Sequence, residues 1–80
     1  MKITDFPCRE NGYITPQAVG AYLIKHGHLE GIIDNRRYIT YDGVGYQVIS
    51  VADKIVQIIE MPISDCQRIG HCSNLKFGDF

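Results

Sequence analysis

The sequence predicts an α+β fold in which one N-terminal helix, about residues 16–26, packs on a small antiparallel sheet, about residues 29–61, followed by an irregular C-terminal tail. Three observations point there. A capped stretch with helical spacing ends at Gly27. Beyond it, runs of β-branched and aromatic residues are broken by turn dipeptides. At 80 residues the chain is long enough to close one core but not two, so residues 1–80 form one small domain.

Residues 1–13 contain Pro7 and the pair Asn11-Gly12, both of which interrupt regular structure; an extended arm is expected, with at most a short strand at Lys2 to Asp5. Thr15 can accept a backbone N–H bond at a helix start, Pro16 suits the first helical position, and Gly27 can close the helix in the left-handed conformation. Val19, Tyr22, Leu23 and His26 fall on one face at three- and four-residue steps, with Ala18 beside it, while Gln17, Gly20 and Lys25 are expected nearer solvent. Gly20 in mid-helix costs about 1 kcal/mol relative to alanine and implies close approach of another backbone or a partner.

Strands are expected at Leu29 to Asp34, Tyr38 to Tyr41 and Val44 to Ser50, with turns at Asn35-Arg36 and Asp42-Gly43. Both faces of these runs carry apolar groups, so the helix is expected to cover one side. Residues 50–61 read two ways. Ser50 and Asp53 resemble a loose capping box ahead of a helical face, whereas the isoleucine and valine content of Lys54 to Met61 and a tight turn at Ala52-Asp53 favour a strand, the preferred reading. The tail from Ser64, with Gly70, Gly78 and scattered apolar residues, is expected to pack irregularly.

Eight basic against nine acidic residues give a formal charge of -1, so no global field draws the chain to nucleic acid or to an anionic membrane. No apolar run approaches the ~18 residues a bilayer span needs, and the start lacks a signal-like hydrophobic region. The three cysteines are too few and odd in number for a disulfide framework. Together these features lead us to expect a cytoplasmic protein with reduced thiols. Catalytic signatures are missing too: there is no P-loop, dinucleotide fingerprint, His-Glu-x-x-His or nucleophile elbow, so a non-enzymatic role without a cofactor is expected.

Three sets of residues invite a function. Cys66, His71 and Cys72, joined by Cys8, would supply four zinc-type ligands, but adjacent ligands at His71-Cys72 tend to point apart, and plain thiols are the preferred reading. Lys25, His26 and His28 leaving the helix, with Arg36 and Arg37 beside Tyr38 and Tyr41, form a local basic cluster that could contact phosphate, blunted by Glu30, Asp34 and Asp42. Finally, an uncovered sheet face bearing Tyr38, Tyr41 and Tyr46 with Arg36 or Arg37 has the residue types that dominate protein interfaces.

The last set leads to the first expectation: a small inhibitor or adaptor that occupies a surface of a larger host protein or nucleoprotein complex, or pairs with a second copy as a homodimer. Proteins of this size and character encoded by bacteriophages and other mobile elements, anti-CRISPR proteins among them, act this way. The alternative is a DNA-binding regulator. A capped helix, a hairpin with Arg36-Arg37-Tyr38, then Tyr46 to Ser50 leading toward a second helix, resembles small winged-helix excisionases over residues 14–60. The resemblance implies that Lys25, His28, Arg36 and Arg37 touch DNA, although Gly27 to Arg36 leaves no room for a full second helix.

Overall fold

The computed structural model describes residues 6, 7, 9 and 11–78. Helix α1 (Pro16–His26) is followed by strands β1 (His28–Ile33), β2 (Arg36–Tyr41), β3 (Val44–Val51) and β4 (Lys54–Met61), and then by helix α2 (Ile63–Gly78). The four strands form one antiparallel sheet in the order β1-β2-β3-β4, each paired with its neighbour in sequence. The fold is therefore α+β, with an N-terminal helix on an antiparallel sheet. The strand suggested at Lys2 to Asp5 lies outside the described residues.

The start of α1 follows the predicted chemistry: the Thr15 hydroxyl accepts from the Ala18 amide at 3.1 Å and Pro16 opens the helix. Its end differs from expectation. Gly27 is extended (φ -84°, ψ 179°) and donates its N–H to the Leu23 carbonyl. Glycine is required there by space rather than by handedness, since a β-carbon would stand 2.5 Å from Ile39 Cγ2 and 2.7 Å from the Leu23 carbonyl oxygen. Gly20, expected nearer solvent, is instead buried against β4, and it makes room for the Ile55 side chain, whose Cδ1 would lie 2.6 Å from an added β-carbon.

Strand pairing resolves the ambiguity at residues 50–61 in favour of strand. Val51 faces Lys54 across a two-residue turn, and Ala52 and Asp53 both take positive φ, 52° and 66°. Asp42-Gly43 turns the preceding hairpin with the same handedness. The first hairpin turns at Asp34-Asn35, one residue earlier than expected, because Ile33 pairs with Arg36.

The main core lies between α1 and the sheet. Phe6, Val19, Leu23, Ile39, Tyr46 and Val48 are buried there, with Tyr22, Tyr41, Ile55 and Ile58 packed against them. Phe6 meets Tyr22 and Tyr46 edge-on and stacks on Tyr41, with ring centroids 5.4 to 5.8 Å apart. The Gln17 side chain ties α1 to β4 by accepting from the Ile55 amide at 3.0 Å.

The tail is not irregular: Ile63–Gly78 is helical. Pro62 ends β4, its carbonyl accepts the Cys66 amide, and Asp65 sits in the first turn, where a carboxylate favours the helix dipole. Helix α2 covers the sheet face opposite α1, resting on β1, β2 and β3. Two glycines permit this: a β-carbon on Gly45 would collide with Cys66 Cβ, and one on Gly70 would collide with Glu30.

Candidate functional site

The two helices change the fate of the tyrosines, α2 covering Tyr38 and α1 with Phe6 covering Tyr41 and Tyr46. With both faces of the sheet covered, Tyr46 is fully buried and Tyr38 is 7% exposed. Tyr41 is half-buried, its hydroxyl 3.0 Å from that of Tyr22. The expected uncovered tyrosine face is thus corrected to a core. Burial, with the nearby acids Glu60 and Asp42 adding to it, pushes the Tyr46 hydroxyl up to about 12. The hydrogen bond to Tyr22, with burial and the negative charge of Asp42, raises Tyr41.

The basic residues separate as well. Neighbours on one strand point to opposite faces. Arg36 donates to Gln47 Oε1 at 2.7 Å, while Arg37, on the α1 side with Ile39, reaches Ser50 Oγ at 3.4 Å. Lys25 and His28 lie at the other end of β1, where His28 pairs with Thr40. Residues 50–61, where the winged-helix resemblance implies a helix, are the end of β3 and β4.

Nor does the cysteine set assemble. Cys66, on the sheet-facing side of α2, is buried and donates its thiol to the Ile39 and Tyr46 carbonyls at 3.5 and 3.9 Å. Burial pushes that thiol up. Cys72 is exposed, and Cys8 lies outside the described residues. His71 turns instead to Glu30.

Among the described residues Glu30 is the buried charged one, with 6% exposure. A β-bulge between Leu29 and Gly31 inserts it into β1 as an extra residue. Its Oε2 accepts from Thr40 Oγ1 at 2.8 Å, and its Oε1 lies 2.9 Å from His71 Nε2 and 3.8 Å from His28 Nε2. Burial alone disfavours the carboxylate. Hydrogen bonds from Thr40 and His71 and the charges of the two histidines outweigh it, holding Glu30 below its ordinary value. No sequence pattern marks this group, because its members come from β1, β2 and α2.

On the opposite side of β1, apolar side chains remain in water. Leu29 pairs with Ile39 and Ile32 with Arg37, so both face the α1 side, yet they are 48% and 46% exposed. Ile24 of α1, 48% exposed, lines with Ile32 a cleft of about 440 Å³ whose other walls include Arg37, Asn35, Asp53 and Ile55. The Asn35 amide spans the cleft floor to the Ser50 carbonyl at 2.9 Å. This patch of three isoleucine and leucine side chains at the β1 edge of the sheet is the surface that the sequence analysis did not identify; the alternation in Leu29 to Asp34 that would have exposed it is broken by the Glu30 bulge.

Among the described residues no helix is long and apolar enough to cross a membrane. In comparisons with known proteins, no family model, no curated protein and no solved structure matches this chain.

Proposed function

We propose that the protein works by binding rather than catalysis, as an inhibitor or adaptor that occupies a surface of a larger protein or nucleoprotein complex. The observation that carries this reading is the exposed group Ile24, Leu29 and Ile32 beside the sheet edge, with Arg37, Asp34 and Asn35 around it. An apolar centre with a polar rim and an arginine is the composition of a protein interface. A strand edge next to it offers backbone hydrogen bonds to an incoming chain. The partner surface thereby moves from the tyrosines to β1, with Arg37 kept from the original set.

The regulator reading has less support, since Lys25 and His28 stand at the far end of β1 from Arg36 and Arg37 and form no continuous basic stripe. The test is an affinity capture from bacterial lysate with and without nuclease, using the natural chain and the double variant Leu29→Asp, Ile32→Asp. A stoichiometric protein that survives nuclease and is lost with the double variant supports the proposal. Recovery of DNA that Arg36→Glu with Arg37→Glu abolishes would replace it with the regulator.

A further inference from the structure

We propose that β1 takes up an extended segment of the partner protein as a fifth strand, one whose side chains alternate between aliphatic, on the α1 side, and acidic, on the α2 side. This deepens the interface reading above and rests on it. In the sheet β1 has a neighbour on one side only, β2. Ile33 and Arg36 close the two-residue turn, so the alternation of an antiparallel ladder turns the Ile32 N–H and C=O outward, away from β2. The opposite edge is already engaged: α1 packs on β4, and Gln17 takes the Ile55 amide.

Size and shape select a single strand over a second copy. Ile24, Leu29 and Ile32, each about half exposed, leave roughly 90 Å² apiece in water, together about a third of the ~800 Å² per partner that a standard interface buries. Backbone hydrogen bonds must supply the rest, as they do in strand addition. A copy paired through the whole of its own β1 is excluded by α2. Gly70 rests on Glu30 and Gly31 in mid-strand, so two such helices would stand over strands only about 4.8 Å apart, whereas packed helices need about 8 to 10 Å.

Charge sets the other face of the incoming chain. On the α1 side it meets Leu29 and Ile32. On the α2 side stand the imidazoles of His28 and His71, 77% and 61% exposed, with Lys25 and His26 in the last turn of α1 just ahead of β1. Glu30 between the two imidazoles is buried and partnered by Thr40 and His71, so it turns no free charge toward the newcomer. Such donors suit carboxylates.

The probe is a fluorescein-labelled, end-blocked octapeptide of alternating valine and glutamate, titrated into the full chain and read by anisotropy and by amide chemical shifts. Saturable binding with a dissociation constant below about 1 mM is expected, with the shifts concentrated in β1. Replacing every glutamate by lysine, or N-methylating the valine amides that would face Ile32, is expected to weaken binding at least about tenfold. Leu29→Asp with Ile32→Asp abolishes it, with circular dichroism checking the fold, whereas Val56→Asp, at a half-exposed position of β4, leaves it unchanged. No saturable binding, equal binding of the lysine or N-methylated peptide, or equal loss with Val56→Asp overturns strand addition. Lysate capture still lost with Leu29→Asp, Ile32→Asp would then leave the interface standing without this mode. Capture that survives the double variant removes the interface, and this proposal with it.

Discussion

Gly70 of α2 rests on Glu30 of β1 so closely that a β-carbon on the glycine would stand 2.7 Å from Glu30 Cβ and 3.0 Å from its carbonyl carbon. One of those neighbours is backbone and cannot turn aside, so the spacing of helix and sheet is set at this point.

Gly70→Ala is therefore expected to destabilise the fold. Alanine improves helix propensity by about 1 kcal/mol, but forcing a methyl into a packed contact costs about 1 to 3 kcal/mol and displaces the helix. A net loss is expected, read as a lower urea midpoint with unchanged slope. A midpoint equal to or above that of the natural chain would show that α2 can lift off β1 without penalty.

The sign of the Glu30 contribution to stability follows from its carboxyl lying below the ordinary value of 4.5. A depressed folded value means that stability is present above the unfolded value and is lost as the pH falls through the folded one. Stability measured from about pH 6 to about pH 3 is expected to fall more steeply for the natural chain than for Glu30→Gln. Parallel curves would mean that Thr40 and the histidines do not favour the charged form.

Cys66 is expected to resist thiol reagents in the folded protein, because burial raises its thiol and the reactive species is the thiolate. Peptide mapping after brief alkylation should find Cys72 modified and Cys66 untouched until denaturant is added. Labelling of both at equal rates would show that α2 opens readily.

The bounds of α1 and the second hairpin turn were legible because their signals are local, Thr15-Pro16 for a helix start and Asp42-Gly43 for a turn, whereas the closing conformation of Gly27 and the exact position of the first turn were not. Helix α2 was not. Gly70 reads as a breaker in sequence, and only the crossing over Glu30 shows why it is tolerated within a helix. Missing α2 carried a second error with it, since an uncovered sheet would have left Tyr38 in water, while Tyr46, on the α1 face, depends on Phe6 and Leu23 for its burial. The Glu30 cluster is a product of pairing register, and a one-residue bulge disrupts the alternation without revealing which residue is the extra one.

The β3–β4 turn gives a gain-of-stability prediction. Ala52 and Asp53 both sit at positive φ, a conformation that costs non-glycine residues roughly 1 to 2 kcal/mol each, less for aspartate. Ala52→Asn with Asp53→Gly supplies the residues such a two-residue turn prefers. An increase in stability of about 1 to 2 kcal/mol is expected from thermal or urea denaturation. No gain would indicate that neighbouring contacts already relieve the turn.

The strands pair strictly in chain order, so every hairpin can form as soon as its own residues are available. The contact on the other face, His71 with Glu30, spans 41 positions and needs α2, which follows every strand. A growing polypeptide therefore releases all four strands before α2, the helix that shields the buried glutamate. His28 is two residues from Glu30 on the same strand, so it is only His71 that must come from beyond the sheet in sequence to reach that carboxylate.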